Sequence, residues 1–593
     1  MDTGRNLHKT IYVCTVIIQG APIGGRRRPE RIAAVRATTT VEGVTTVLIN
    51  QRTRSRAAAG AAIALSLACV LTSCAAPGSA PGGTEQTEAA PGFLAVADEA
   101  LTGTGALTVQ LDYDTSEADG LDPQTAQTDT SWMIMGLVYE TLVTTDENFE
   151  IQPKLATSWE QPDDTTYVFT IDTTATFSNG RALTVDDVVG SLERQVASMS
   201  VWSGQMGPVE SIEATGDDQV TVKLGSPYAP FLAALANTPA AILPMEEVND
   251  GSVDLTTTML GTGPYLVADH RQDESWTFTA NPDWHGGDNL AVQTLELQIV
   301  DQESTRQAAL REGSTGMAKF VNIDSLSQLG GNEGLQIVKQ TQSDLYYVLV
   351  NSQKPDSPLN DQDVRFAINT AIDRQAIADI VFAGETTPTG ITPSNLPGAC
   401  RVDELPSEQA AIEDARATIE ETGAGDVELD LIVDTSNPVM AQIAQLVQQQ
   451  LAEIGVTVRI EQVDTAIYIE RVFSAQPGDF DLSISWFAGY TDPSMVTKWW
   501  NPEQAFFNVG FTGVHEDLNA LIAEGASETD PDARAEVLTE LCASADEYAE
   551  MVPLVHRPSI IGFDTAAVSP TIQSNEGYGN ILRNIADYRI AGE

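Results

Sequence analysis

The stretch Val427-Glu-Leu-Asp-Leu-Ile-Val433, then Asn437-Pro438 and Ala441–Ile454, then Gly455 and Val456-Thr-Val-Arg-Ile460, decides the fold. The first run is apolar and β-branched, which predicts a strand. The second carries apolar residues at helical spacing among glutamines, and Gly455 stands where a helix C-cap is expected. The third returns to β-branched alternation. Strand, helix and strand in about 34 residues is a β–α–β unit. The pattern continues outward. Tyr167–Ile171 and Val220–Leu224 read as strands, as does Leu107–Tyr113, and Phe177-Ser-Asn-Gly180 reads as a turn. Thr184 caps a helix with Asp186 and Asp187 in its first turn. Leu137–Val143 is helical in character, and Asp363–Ala383 reads as one helix. Gly261-Thr-Gly-Pro-Tyr265 is a glycine turn entering a strand. The fold class is therefore α/β with mixed sheets.

The chain has 593 residues, 42% of them hydrophobic and 19% charged, with a formal charge of −53. That apolar content suffices for a sizeable core. The acidity repels phosphate, which excludes nucleic acid and acidic lipid headgroups as direct partners. The charge is uneven: Met1–Arg56 holds ten Lys/Arg against three acids, or +7, leaving −60 for the remainder. Such a break predicts two segments with different fates.

The basic segment runs into Ala57–Leu71, an uncharged stretch of 15 residues. A membrane-spanning helix needs about 20, whereas a short apolar run after basic residues is the secretory signal pattern. Leu71-Thr72-Ser73-Cys74 then resembles a bacterial lipobox. We expect residues 56–73 to be a lipoprotein signal peptide and Cys74 to be the lipidated N-terminus. Residues 74–104, rich in Ala, Pro, Gly, Ser and Thr, read as a flexible tether. Residues 1–55 read as a start-site over-extension plus a basic region, with translation beginning near Val47.

Cys14 and Cys69 leave with that segment, and lipid consumes Cys74. Cys400 and Cys542 remain, as a disulfide or as two buried thiols; an exported location favours the bridge. The five histidines are scattered, with neither an HExxH nor a CxxC motif, so neither a metal site nor a cofactor is expected.

Several blocks, in order, resemble the extracellular solute-binding proteins of family 5, the peptide- and nickel-binding lipoproteins of ABC importers. Leu137-Val-Tyr-Glu-Thr-Leu142 with Pro153-Lys-Leu-Ala-Thr-Ser-Trp159 is one; Tyr167-Val-Phe-Thr, Phe177-Ser-Asn-Gly and Leu183-Thr-Val-Asp-Asp-Val188 form a second. Gly261-Thr-Gly-Pro-Tyr265, Asn281-Pro-Asp-Trp284 and Gly286-Gly287 form a third. Thr305-Arg306 with Ala309-Leu310, and Asp363-Val-Arg-Phe-Ala-Ile-Asn369 with Ala371-Ile-Asp-Arg374, complete the set. The resemblance implies a two-lobed, three-subdomain, periplasmic-binding-protein-like fold (type II) that closes over ligand by hinge bending. Lobe I would comprise 105–150, 262–345 and 560–593, lobe II 346–559, with a small domain, 151–261, inserted. The implied protein is a monomer that is exported and lipid-anchored to the cell membrane. It would capture a peptide or peptide-like ligand and deliver it to a membrane permease. A metal chelate such as nickel's, or an oligosaccharide, is the alternative ligand.

The resemblance also places site residues. A strand-like ligand-pairing segment would fall at about Gln127–Trp132, bringing in Asp129 and Trp132. The second wall would be Trp486-Phe487-Ala-Gly489-Tyr490-Thr-Asp492-Pro493, with Trp486 and Tyr490 stacking on ligand. Trp202 and Tyr228 in the inserted domain, and Asn437 at a strand end, are further candidates. For each aromatic the alternative is core packing, and Arg306 and Arg365 read as structural. One departure stands out: peptide binders carry an aspartate three residues after that tryptophan, to pair with the ligand's amine, and here the position is Gly489. Asp492 or Asp129 would have to substitute, since a buried amine left unpaired is costly. A hydrolase is the competing class, but GxSxG and P-loop motifs are absent from the sequence, and neighbouring pairs such as Asp186-Asp187 diverge. A binder rather than an enzyme is expected.

Overall fold

The computed structural model describes residues 91–592, apart from 118, 119, 199, 288, 289, 488 and 506 and the side chains of 201 and 487. The expected over-extension, signal peptide and lipidated Cys74 lie outside the described residues. Among these residues no helix is long and apolar enough to cross a membrane.

The β–α–β unit forms as read. Strands Glu428–Asp434 and Thr457–Val463 pair in parallel, joined by the helix Pro438–Glu453. Asn437 caps that helix through Val439 N (3.1 Å), Pro438 takes its first turn, and Gly455 just beyond it adopts φ 90°. Its buried stripe, Met440, Ile443, Ala444, Val447 and Leu451, follows the helical period onto the sheet.

That unit is one end of a mixed sheet of eleven strands. In order these are 457–463, 428–434, 482–487, 335–350, 551–564, 317–320, 105–111, 292–299, 275–280 and 265–271, with 575–576 attached to 335–350. A separate antiparallel sheet of four strands lies within the expected inserted domain, in the order 156–163, 166–171, 219–224, 209–214. Its helix Val185–Ala197 starts with a capping box between Thr184 and Asp187.

Two long antiparallel strands, Leu335–Val350 and Met551–Asp564, carry the large sheet from one half to the other. The expected lobe boundaries at 345/346 and 559/560 fall inside them. Their ladder shifts register twice, between Tyr346 and Tyr347 and between Thr341 and Leu345; at the second break Thr341 faces Pro558 and Leu345 faces His556, so Gln342, Ser343 and Asp344 stand opposite Arg557 alone. Such a bulge frees side chains from the pleat and bends the strand. His556 is buried at this bend (2% exposed). Its Nδ1 donates to Gln342 O at 2.7 Å, and its Nε2 lies 2.7 Å from Ser394 Oγ. Burial lowers its pKa to about 4. The unfolded chain therefore binds this proton from about pH 6.5 downward while the folded one refuses it until about pH 4. Stability is retained above pH 6.5 and lost as pH falls through that window, by on the order of 3 kcal/mol. We expect His556→Gln to flatten the acid limb of the melting temperature between pH 6.5 and 4; an unchanged slope would refute the assignment.

Four expectations need correction. Asp363–Ala383 is two helices, Gln362–Ala371 and Arg374–Val381. Ile372 turns extended and Asp373 caps the second helix through Ala376 N (2.8 Å), while Arg374 is buried against Pro553 O and Asn369 Oδ1. Leu137–Val143 is not helical; the helix comes earlier, at Asp129–Met135. For the same reason Gln127–Trp132 is no strand, because Thr128 caps that helix through Ser131 N. The tether ends before 104: Phe93–Ala95 pairs with Ile572–Gln573, and Gly103 N bonds Ile590 O. Arg306 and Arg365 do serve the scaffold. Arg306 donates to Lys319 O (2.9 Å), and Arg365 donates to Tyr548 O (2.9 Å) and Leu359 O (3.0 Å).

Candidate functional site

The strand Leu482–Phe487 runs beside Leu335–Val350, placing Trp486 opposite Tyr346 and Phe487 opposite Leu345 at the sheet's bend. The Arg557 guanidinium lies 4.0 Å from the centre of the half-buried Trp486 ring, a cation–π contact. Arg557 also pairs with Asp344, its neighbour across the bulge. Burial opposes the guanidinium's charge, but the fields of Asp344, Tyr346, Asp129 and Asp112 outweigh it and hold its pKa above the usual value.

Three residues on, Gly489 has no room for a side chain. A Cβ there would sit 2.0 Å from Gly577 O and 2.6 Å from Ser343 Oγ. The strand end is drawn against the bend, where Ser343 Oγ lies 2.5 Å from Tyr490 O and 3.1 Å from Gly577 O. An aspartate at 489 is thus excluded by backbone packing, since the backbone N of Asp344 also lies 2.7 Å from where its Cβ would be.

Tyr490 is buried in a cluster drawn from three parts of the chain. Trp202 of the inserted region lies 5.6 Å from it and 5.5 Å from Trp132; Trp132 lies 5.6 Å from Tyr578, and Trp499 stacks on Tyr490 at 6.1 Å. Edge-on and offset contacts of this kind stabilise by about 0.5–1.5 kcal/mol each beyond their burial. The Trp132 indole donates to Ala126 O (2.9 Å). The Trp202 indole N–H is buried without a partner among the described residues, as is Gln205 Oε1.

The same face carries polar links between the inserted region and residues 490–530. Asn237 Nδ2 donates to Thr491 Oγ1 (3.1 Å), and Ala229 N to Ala526 O (2.8 Å). Lys498 Nζ donates to Gly204 O (2.8 Å) and to Tyr228 OH (3.3 Å). Burial lowers the Lys498 pKa to about 8. Tyr228 is thereby tied to this junction, packed beneath Gly207.

The remaining candidates divide. Asp129 opens its helix half-exposed, with Oδ1 accepting from Thr130 N (2.8 Å). Asn437 reaches Tyr346 OH (3.4 Å) while capping its own helix. Asp492 is engaged elsewhere: it caps Pro493–Thr497 through Ser494 N and pairs with Arg534 at 2.6 and 3.0 Å. It cannot substitute for a carboxylate at 489. Cys400 and Cys542 form a disulfide with Cα atoms 5.8 Å apart. Among the described residues no three His, Cys, Asp or Glu side chains gather as a metal site.

Sequence reasoning missed Tyr113, Asp344, Arg557 and Tyr578. Asp344 and Arg557 are separated by 213 residues and meet only through the long strands. Tyr578 sits in an irregular segment without a periodic pattern.

The model of bacterial extracellular solute-binding proteins, family 5, matches residues 150–508. The chain is 25% identical over 470 residues to heme-binding protein A of Haemophilus influenzae, covering 72% of this chain and 83% of that protein. In structure it resembles the ABC transporter substrate-binding protein CtaP of Listeria monocytogenes, with TM-score 0.73, 19% identity and coverage of 83% and 100%. It likewise resembles the periplasmic binding protein DppA of Helicobacter pylori in complex with the peptide STSA, with TM-score 0.69, 22% identity and coverage of 82% and 99%. The fold is the two-lobed α/β fold of these binding proteins, and the family comprises transport proteins rather than enzymes. The chain belongs to the bacterial extracellular solute-binding proteins of family 5.

Proposed function

We propose that the protein is the lipid-anchored, extracytoplasmic receptor of an ABC importer, and that it takes a peptide or peptide-like ligand between two lobes for delivery to a permease. The observation that carries this reading is the aromatic cluster of Trp132, Trp202 and Tyr490, drawn from all three expected subdomains. Aromatic rings give large contact area at low conformational cost, and an orphan indole N–H suits an amide carbonyl. The similarity to a peptide-bound relative supports the ligand class. The lobes would be 105–150, 262–345 and 560–593 against 346–559, hinged at the strand bulge, with 151–261 inserted and Cys74 carrying the lipid.

A panel of tri- to pentapeptides should raise the melting temperature of the purified protein. Binding only the native state adds about 2.7 kcal/mol at a hundredfold excess over Kd. Trp486→Ala should weaken the affinity at least tenfold. If peptides give no shift while metal chelates or oligosaccharides do, the peptide reading fails and the receptor reading stands.

A further inference from the structure

The strand Gly105–Leu111 ends at the site with two buried acceptors that have no partner among the described residues: Gln110 Oε1 and, two residues on, Asp112 Oδ1. Asp112 is only 8% exposed. A carboxylate oxygen withheld from water without a donor is unfavourable, so the arrangement calls for a donor. Beside it Tyr113 is 60% exposed, an uncovered aromatic ring in a chain that buries most of its others. Beyond Asp112 the chain runs to Ser116, whose N donates to Ser131 Oγ (3.2 Å) in the helix that Asp129 opens, so the exit of the strand is held against the start of that helix. The cations are already committed: Arg557 to Asp344, and Arg306, which also acts on Tyr113, to backbone carbonyls. Among the described residues no cation is bonded to Asp112 or Asp129. Gly489 meanwhile shuts the position where an acidic side chain would otherwise stand.

We propose that Asp112 and Asp129 hold a cationic nitrogen of the ligand, the free ammonium terminus of a peptide, with Tyr113 and Trp486 as the aromatic rim. Three N–H donors on one nitrogen match the orphan oxygens of Asp112 and Gln110 and the half-exposed carboxylate of Asp129. Aromatic faces add attraction for the same charge. This assignment rests on the peptide reading above and moves the charge recognition from lobe II to lobe I.

The test uses two matched equimolar libraries of tri- to pentapeptides, one with free amino termini and one N-acetylated. Melting shifts and calorimetric affinities are read on the wild-type protein and on Asp112→Asn and Asp129→Asn. We expect the free library to bind at least tenfold more tightly than the acetylated one, and each variant to shrink that ratio at least tenfold. Asp129, half-exposed at a helix start, decides the matter if the Asp112 variant fails to fold. Equal binding of both libraries to wild type, or an undiminished ratio in Asp129→Asn, overturns the cation site and leaves the peptide reading intact. Binding of neither library overturns both.

Discussion

Replacing Arg557 by methionine is expected to cost about 3–5 kcal/mol of folding stability, the usual penalty for removing one partner of a buried ion pair. Asp344 is 2% exposed at its side chain and Arg557 15%, so the carboxylate left behind cannot recover its hydration. It also sits in the strand bulge, where Ser343, Gly489 and Gly577 crowd the backbone and leave little room to relax. The loss of the guanidinium from the Trp486 face adds about 1 kcal/mol. The pair itself contributes less than its removal suggests, because both charges give up hydration to form it. The double change Asp344→Asn with Arg557→Met should therefore recover most of the loss. Urea midpoints on wild type, the two single variants and the double variant check this. A single Arg557→Met within 1 kcal/mol of wild type would mean that water or another cation already reaches Asp344. Ligand affinity should fall in the single variant as well, because Trp486 loses the group that fixes its ring.

The element types were readable because they depend on neighbours in sequence. The β–α–β unit at Val427–Ile460 carries its own periods and its own Asn437 cap. The family blocks mark turns and caps of the same local kind: Thr184 with Asp187, the Gly261–Tyr265 turn, Asp373 before Arg374. Two elements differ from expectation because a single capping residue decides them. Thr128 starts a helix where the family resemblance implies a strand, and Asp373 divides an apolar stripe that otherwise looks continuous. The site was legible only by half. Tyr490, Trp132 and Trp202 converge, and Trp486 stands against Arg557. Asp344, Arg557 and Asp112 were invisible, because their meeting is set by strand order and by a bulge, and neither leaves a mark on local composition.

The Cys400–Cys542 bridge should carry the other large stability effect. It closes a loop of 142 residues. By the chain-entropy relation such a cross-link removes about 5 kcal/mol of freedom from the unfolded chain. The two sulphurs lie beneath Thr392, whose Oγ1 stands 3.0 Å from Cys400 Sγ and 3.7 Å from Cys542 Sγ. Neither cysteine is more than 4% exposed. Reductant therefore reaches the bond only through opening of this region, so incubation under native conditions should change little. The effect should appear at equilibrium in denaturant: reduction lowers the midpoint of the wild type, and the double change Cys400→Ala with Cys542→Ala matches that lowered midpoint and ignores reductant. A wild-type midpoint indifferent to reductant would show two buried thiols instead. The bridge also separates stability from binding. Both cysteines lie within the stretch assigned to lobe II, between the loop after Ile391 and the helix Pro531–Tyr548, and neither crosses the bend. The reduced protein should thus melt earlier yet gain the same increment from peptide ligand, whereas loss of Arg557 should diminish both.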